Sequence, residues 1–576
     1  MTHHPTGGDL LVAVLRELGI DTVFGIVSVH NLPLVEAVDR ELRFVPVRHE
    51  ATAVNAADAY GRARGSLGCA LTSTGTGAGN AAGSLIEALS AGTGVLHVTG
   101  QVESQYLGSG RGFIHETKDQ LGMLRAVSTY AATVPSTEAA GRILREAARA
   151  ALRAPGGPAS VEWPIDLQYA AQQDDDAVAP ESATPHPDDA ALDAAACLLA
   201  GARRPLVWAG GGACGAADRL AELLARTGAG LLTSNSGRGA VPEDHPQVIG
   251  NFATTPTGRA LLADADVLLT IGTHFRSNET GDYSLALPEA HIQIDVDAAA
   301  LGRVYAARHA LQGEADAVLG ALLARLPAAV PAPDDSAATE GSEPAAASAG
   351  QATGGTEQAT EGAESAWTVR VASVRAEVRA ALHDAIGPQA AVCDALRAAL
   401  PRRAVVARDV TIPSSSWGNR LLEIYAPRDN VFPRGGGIGQ GLGMGIGAAL
   451  ARPGEPTVVM AGDGGLAVHL GELLTLAQER PALTLVVFND GGYGVLRNMQ
   501  DRYSERRSGV DLATPDFSLL ARSCGLPYAR IATEADAAPV LAEAVASGGP
   551  TLVEVDLTAL GPMKNPFTPP VKIPTA

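Results

Sequence analysis

The sequence predicts an α/β protein built from three doubly wound parallel-sheet domains. Its 576 residues exceed one ordinary domain, since a domain averages about 150 residues. Short apolar runs alternate with stretches of helical periodicity from one end of the chain to the other. Many of these runs pass directly into Gly or Thr, as strands do where a turn leads into a helix. Repeated strand–helix alternation is typical of βαβ units and therefore of parallel sheets.

Residues 1–175 form the first predicted domain. Its strands are expected at 22–25, 44–47, 69–72, 95–100 and 159–162, and its clearest helices at 10–18 and 51–64. An acidic stretch with prolines at 172–189 indicates a linker. Residues 190–326 repeat the pattern as the second domain. Its strands are expected at 206–209, 230–233, 266–271 and 292–296.

A low-complexity segment separates the second domain from the third. Residues 331–366 contain no aromatic residue, no Val, Leu, Ile or Met, and no Lys or Arg. Such a composition buries too little apolar surface to offset the entropy of ordering, so we expect a disordered acidic linker. Residues 367–576 form the third predicted domain. Its strands are expected at 404–407, 457–461, 483–488 and 551–555.

Composition excludes several classes of function. The formal charge of −20 opposes contact with a phosphate backbone, and an aromatic content of 4% does not suit stacking on single strands. We therefore expect no nucleic-acid partner. The five cysteines are scattered and include no CxxC pair, which argues against a zinc knuckle or a disulfide framework. No signal peptide or membrane span is evident, so the expected location is the cytoplasm.

The third domain carries two glycine-rich turns, each directly after an expected strand. They are GDGG at 462–465 and NDGG at 489–492. Because the carboxyl ends of parallel strands share one edge of a sheet, Asp463 and Asp490 are expected to face one another. Mg²⁺ takes one or two carboxylates and fills its octahedron with ligand phosphates, which glycines and a helix N-terminus accommodate. Each turn alone is also compatible with a tight turn between core strands.

This pair of motifs resembles the fingerprint of thiamine-diphosphate enzymes, which include acetolactate synthases, pyruvate oxidases, and benzoylformate and pyruvate decarboxylases. Many relatives have Asn where this chain has Asp490, so the NDGG turn of this chain carries an extra negative charge. By that resemblance Mg²⁺ is held on the diphosphate by Asp463, Asp490 and the Gly492 carbonyl, with Gly462, Gly464, Gly465 and Tyr493 in the same site.

A carboxylate in the first domain is the candidate catalytic acid. Glu50 lies between an expected strand and an Ala-rich helix, where partial shielding from water suits proton exchange. The alternative is a glutamate favoured only by the helix dipole. The strings VRHEATAVNAADAYGRARG, LTSTGTGAGNAAGSLIEAL and VLHVTGQV resemble the amino-terminal, pyrimidine-binding domain of the same family. The resemblance implies that Glu50 hydrogen-bonds the aminopyrimidine ring and activates the cofactor.

A third glycine-rich stretch, RGGGIGQG at 434–441, lies between the two motif regions. By resemblance Ile438 bends the cofactor and the Gly436 carbonyl accepts from its amine. Ile438 is otherwise a core residue at a helix start. Thr411 and Ser414 are further hydroxyl candidates for the diphosphate.

The substrate pocket departs from each relative that the chain resembles. His115 lies where acetolactate synthases have Gln, and Met499 where they have Trp. Ser73 and Asn278 lie where benzoylformate decarboxylase has its two catalytic histidines. We expect His115 to take part in catalysis. The substrate pocket is expected to contain Val29, His30, Ser73, Asn278, Val495 and Met499.

The main functional hypothesis is decarboxylation of a 2-oxo acid followed by carboligation of the acyl anion to an acceptor carbonyl, as in acetolactate synthases. The alternative keeps the cofactor but releases an aldehyde. A third possibility is a catalytically idle homologue, which the presence of Glu50 and both metal motifs disfavours. The family builds each site from two subunits, which implies a homodimer or homotetramer.

The second, Rossmann-like domain has one nucleotide-like feature. GGGACG at 210–215 fits the glycine pattern of dinucleotide sites, but no acidic residue ends the next strand to hold a ribose. An NAD-dependent dehydrogenase is therefore the weakest alternative. By resemblance this central domain binds FAD in some relatives. Flavin is possible but not expected here, since His274 lies where the flavin-linked Arg of acetolactate synthases falls.

Overall fold

The computed structural model describes residues 4–172, 184–327 and 365–569. These residues form three six-stranded sheets in which all neighbouring strands run parallel. Helices flank each sheet. The predicted α/β class, with three doubly wound parallel sheets, is confirmed.

The N-terminal sheet is built from residues 22–164. Its strands are β1 (Thr22–Gly25), β2 (Arg43–Pro46), β3 (Gly68–Thr72), β4 (Val95–Gln101), β5 (Tyr130–Thr133) and β6 (Pro158–Pro164), in the order β2-β1-β3-β4-β6-β5. The helices are α1 (Gly7–Glu17), α2 (Leu32–Glu41), α3 (Glu50–Arg64), α4 (Thr76–Ala91), α5 (Gln120–Ala126), α6 (Ala140–Leu152) and α7 (Ile165–Tyr169). The inner strands β1, β3, β4 and β6 are buried along their whole length, as expected of a sheet covered on both faces.

The central sheet follows the same plan. Its strands are β7 (Pro205–Ala209), β8 (Gly230–Thr233), β9 (Val248–Gly250), β10 (Val267–Ile271), β11 (His291–Asp295) and β12 (His309–Gln312), in the order β12-β11-β10-β7-β8-β9. The helices are α8 (Asp189–Ala200), α9 (Ala217–Thr227), α10 (Pro256–Asp264), α11 (Ser277–Thr280) and α12 (Ala315–Arg325).

The C-terminal sheet carries the two glycine-rich turns. Its strands are β13 (Val405–Arg408), β14 (Asn430–Val431), β15 (Thr457–Gly462), β16 (Leu483–Asn489), β17 (Tyr528–Ile531) and β18 (Thr551–Asp556), in the order β14-β13-β15-β16-β18-β17. The helices are α13 (Ala366–Ala385), α14 (Gln389–Ala399), α15 (Gly441–Ala451), α16 (Asp463–Leu466), α17 (Glu472–Glu479), α18 (Gly494–Tyr503), α19 (Phe517–Ser523), α20 (Glu534–Ala546) and α21 (Leu557–Leu560).

The end of the predicted linker 331–366 needs a correction. Helix α13 begins at Ala366, and the Ser365 hydroxyl accepts from the Thr368 amide as its N-cap. Residues 331–364 of that prediction lie outside the described residues. Trp367 donates its indole N–H to the Pro205 carbonyl at 2.9 Å, so α13 packs against the central sheet.

Helices α3 and α15 join the N-terminal and C-terminal domains through small residues. A Cβ built on Gly447 would lie 2.0 Å from the Ala56 carbonyl oxygen, and one on Gly443 would lie 3.0 Å from Thr52. The two helices therefore approach more closely than side chains would allow. Glu50 is the first residue of α3, and the glycine stretch 434–441 leads into α15, so the packed helices begin at both features. Among the described residues, no helix combines the length and apolar character that a membrane span requires.

Buried His97 makes the stability of the N-terminal sheet sensitive to acid. Its ring lies between the hydroxyls of Thr72 at 2.8 Å and Ser160 at 3.0 Å, and burial lowers its pKa to about 4. Between pH 6.5 and 4 the unfolded state binds a proton that the folded state excludes, so stability falls as the pH falls. We expect this residue to contribute roughly 2–3 kcal/mol of that loss. Urea unfolding of wild type and His97→Gln at pH 7.5 and 4.5 tests it, because the variant should lose less stability over this interval.

Candidate active site

The two acidic motif residues lie at the carboxyl ends of neighbouring strands. Asp463 follows β15 as the first residue of α16, and Asp490 follows β16. The Asp490 amide donates to Asp463 Oδ1 at 3.4 Å, which fixes the two turns against each other. The structure therefore brings together the pair that the motif spacing predicted.

The chemistry of this pair fits a cation. Asp463 Oδ2 is buried and has no hydrogen-bond partner among the described residues. Burial and the nearby Asp463 charge raise the pKa of Asp490 to about 6, while burial also raises the pKa of Asp463. A buried and a half-buried carboxylate that repel each other, with an oxygen of Asp463 left unpartnered among the described residues, form a donor set suited to Mg²⁺.

Glycines bring backbone into contact around this pair. A Cβ on Gly464 would lie 2.9 Å from the Tyr493 ring and 3.0 Å from the Gly492 carbonyl oxygen, so Tyr493 packs against the GDGG turn. Gly492 has φ +142°, a conformation that favours glycine. Arg497, which the sequence analysis missed, donates to the carbonyls of Asp490 and Gly491, both at 3.0 Å. It thereby fixes the NDGG loop.

The remaining C-terminal candidates surround the same turn. A Cβ on Gly462 would lie 3.0 Å from the Thr411 hydroxyl, whereas the buried Ser414 hydroxyl donates to the Met460 carbonyl at 3.4 Å. Gly436 has φ +93°, and nothing lies within 4 Å of a Cβ built on it. Ile438 is 40% exposed rather than part of the core. The glycine stretch thus presents open backbone and an uncovered apolar side chain.

Glu50 begins α3 in the N-terminal domain and is half-buried. Asn80 on α4 donates to Glu50 Oε2 at 3.0 Å. A Cβ on Gly77 would lie 3.1 Å from Glu50 Oε1 and 2.7 Å from the Ser73 Cβ, so glycine is required between them. Glu50 and Ser73 therefore both lie beside the N-terminus of α4.

Two of the predicted histidines face each other in the same region. The Nδ1 atoms of His30 and His115 are 3.4 Å apart, with ring centroids at 5.3 Å. His115 is exposed and has φ +66°, whereas His30 is buried. Burial and the charge of His115 lower the pKa of His30. A Cβ on Gly75 would lie 2.3 Å from the His115 carbonyl oxygen, which places this pair beside α4 as well.

Other predicted pocket residues are not joined to this group. Val29 is 58% exposed, while Val495 and Met499 lie half-buried on α18, and Asn278 lies on α11 of the central domain. No hydrogen bond or ring contact between described residues links Val495, Met499 or Asn278 to His30, His115 or Ser73. None links Glu50 to Asp463 or Asp490 either.

A separate cavity of about 500 Å³ lies where the three domains meet. Its walls include the GGGACG turn, which forms a 3₁₀ helix at Gly211–Ala216 after β7. The strand order changes direction at β7, where α/β sheets commonly bind ligands. His274 and Arg434 also line it, whereas Glu50, Asp463 and Asp490 do not.

Comparisons with known proteins divide the chain into the same three domains. Residues 5–123 match the model for the N-terminal TPP binding domain of thiamine pyrophosphate enzymes, 192–322 the central domain, and 413–555 the C-terminal TPP binding domain. A probable 2-ketoarginine decarboxylase of Pseudomonas aeruginosa is 34% identical over 525 residues, which is 90% of this chain and 88% of that protein. The chain belongs to the thiamine pyrophosphate enzyme family.

Other members of the thiamine pyrophosphate enzyme family match along nearly the whole chain. The acetolactate synthase isozyme 2 large subunit of Escherichia coli is 28% identical, covering 96% of each chain. A probable acetolactate synthase large subunit of Methanocaldococcus jannaschii is 27% identical over 95% of this chain and 91% of that protein. As a family member with both TPP-binding domains, the chain is built to bind thiamine diphosphate.

Proposed function

We propose that this chain catalyses thiamine-diphosphate- and Mg²⁺-dependent decarboxylation of a 2-oxo acid, R–CO–COO⁻ + H⁺ → R–CHO + CO₂. The main structural support for release of an aldehyde is the facing pair of His30 and His115. A relative at 34% identity bears the name of a decarboxylase, which supports the same outcome. The reaction is not a redox change, so it requires no flavin or nicotinamide.

The C-terminal domain supplies the binding groups in this proposal. Asp463, Asp490 and the Gly492 carbonyl would hold Mg²⁺, which would offset the negative charge of the diphosphate. The Thr411 hydroxyl lies beside this site. The Ser414 hydroxyl already donates to the Met460 carbonyl, so in this proposal it is not a main ligand of the diphosphate. Ile438 and the Gly436 carbonyl would hold the organic part of the cofactor. When bound, thiamine diphosphate supplies the nucleophilic carbon and the electron sink for loss of CO₂.

The N-terminal domain supplies the proton-transfer groups. Glu50 would exchange a proton with the aminopyrimidine ring, and Asn80 fixes the orientation of the Glu50 carboxyl group. The exposed His115 collects a proton from water and passes it to the buried His30, because their Nδ1 atoms face each other. The pair then delivers that proton to the carbon from which CO₂ has left. We propose that two chains form each site, as the resemblance to the family implies.

Carboligation to an acceptor carbonyl is the second candidate. The acetolactate synthases support it, because they match 95–96% of this chain. Incubating the protein with thiamine diphosphate, Mg²⁺ and a series of 2-oxo acids, 2-ketoarginine and pyruvate included, separates the two. We expect mass spectrometry to identify aldehyde with and without an added acceptor aldehyde. Hydroxyketone as the main product would overturn aldehyde release.

His115→Gln tests the role of the histidine pair. We expect aldehyde formation to fall by roughly 100-fold, because the pair loses its solvent-facing proton donor, while CO₂ release in a single turnover persists. Stopped-flow measurement of CO₂ alongside product analysis checks this. The exposed His383 on α13 offers a matched control, and His383→Gln should behave as wild type. Equal loss of CO₂ and aldehyde in His115→Gln would contradict the assignment.

A further inference from the structure

The glycine stretch 434–441 is held by two carboxylates that bind its alternate amides. Gly435 and Gly437 donate to Glu87 at 2.5 and 2.7 Å. Gly439 and Gly441 donate to Asp409, both at 3.0 Å. Four amides in seven residues are therefore fixed by side chains. The two carboxylates and this stretch are together called the loop clamp.

Both carboxylates of the loop clamp are buried. Glu87 lies on α4 of the N-terminal domain and is 5% exposed, and Asp409 follows β13 and is 3% exposed. Burial raises the pKa of Asp409 to about 6, and the charge of Glu87 adds to that rise, while the loop amides oppose it. Burying a carboxylate is unfavourable unless hydrogen bonds compensate, so the carboxylates and the loop depend on each other.

The hydrogen bond to Gly437 also orients a neighbouring carbonyl. In a trans peptide the N–H of one residue and the C=O of the residue before it point in opposite directions. The Gly437 N–H points to Glu87, so the Gly436 carbonyl points away from Glu87. By the same geometry, the bond from Gly439 to Asp409 orients the Ile438 carbonyl.

Helix α4 connects this clamp to the catalytic acid. Asn80 and Glu87 are two helical turns apart, which places them on one face of α4. Asn80 holds Glu50, and Glu87 holds the glycine stretch. One rigid helix therefore fixes both the candidate acid and the glycine stretch of the same chain. In a site formed by two chains, as the proposed function has it, these two groups serve neighbouring sites.

We propose that Glu87 is a positioning residue that aims the Gly436 carbonyl at the cofactor, with Asp409 doing the same for the Ile438 backbone. This inference rests on the proposed function. Glu87 itself touches neither substrate nor cofactor. Its loss therefore disturbs cofactor activation more than cofactor binding, which the diphosphate and metal contacts maintain.

Glu87→Gln tests the clamp, since its amide group keeps the shape but presents an N–H to one of the two amides. In the cofactor-free protein we expect amide hydrogen exchange across 434–441 to accelerate about tenfold. With thiamine diphosphate and Mg²⁺ bound, we expect exchange of the cofactor C2 proton to slow about tenfold, while Kd rises less than about threefold. The exposed Glu543 on α20 provides the control Glu543→Gln, which should change none of these.

Unchanged amide exchange in the stretch 434–441 would overturn the clamp. If Kd rises by the same factor by which exchange of the C2 proton slows, the positioning role is overturned and only a structural role remains. If Glu87→Gln does not fold, Glu87→Asp replaces it, because a shortened carboxylate cannot reach both amides, and the same results are expected. A wild type that does not bind thiamine diphosphate would instead refute the proposed function, whereas amide exchange without cofactor still tests the clamp.

Discussion

Glu50→Gln is expected to lower turnover of a 2-oxo acid by about 10²- to 10⁴-fold while leaving thiamine diphosphate bound. Glutamine keeps the size of the side chain and can still contact Asn80, but it cannot exchange a proton with the aminopyrimidine ring. The half-buried carboxylate is not part of the metal pair, so the diphosphate contacts persist. Steady-state kcat, the Kd of the cofactor and exchange of its C2 proton, measured on the same preparation, check this result.

The exposed Glu36 on α2 supplies the control for this variant, and Glu36→Gln should match wild type in all three measurements. Turnover by Glu50→Gln at the wild-type rate would refute the proposed mechanism. Loss of cofactor binding in Glu50→Gln would instead make Glu50 a structural residue at the start of α3, where the helix dipole alone favours a glutamate.

The sequence predicted the inner strands of all three sheets but few of the outer ones. β3, β7 and β15 are continuous apolar runs because helices cover both of their faces. The unpredicted β5, β12 and β17 are outer strands and only partly buried, and β14 has two residues. Local hydrophobicity therefore identifies the inner strands, whereas among the outer ones it identified β2 and missed β9, although the three residues of β9 are buried.

The site could be predicted where chemistry follows directly from local sequence. Asp463, Asp490 and Glu50 each adjoin an element boundary, so order along the chain already placed them at sheet or helix ends. Glu87 and Asp409 act on residues that are 348 and 30 positions away, and no local pattern encodes such a distance. The one available signal was a single carboxylate among the Ala, Gly and Leu residues of α4. The facing of His30 and His115 likewise depends on a loop whose conformation has positive φ at His115.

Asp463→Asn is expected to weaken binding of Mg²⁺ and thiamine diphosphate by at least about 100-fold, because even the loss of a residue behind a metal ligand lowers affinity by 10- to 100-fold. Asp463 supplies the one motif oxygen that is buried and unpartnered among the described residues. Calorimetric titration of cofactor in the presence of Mg²⁺ measures the change. Wild-type affinity in this variant would remove the metal site from the proposal.

The stability of the cofactor-free protein excludes unfolding as the cause of that loss. Asp463 is buried and Asp490 half-buried, and the charge of Asp463 adds to the effect of burial in raising the pKa of Asp490 to about 6. Replacing either aspartate with asparagine relieves that repulsion, so the cofactor-free Tm should hold or rise in both variants. Asp490→Asn is the matched variant, since it removes the other charge of the pair. It keeps an oxygen ligand and should retain binding within about tenfold, because Mg²⁺ needs only one or two carboxylates. Equal losses in the two variants would mean that total charge, rather than the particular position of Asp463, holds the metal.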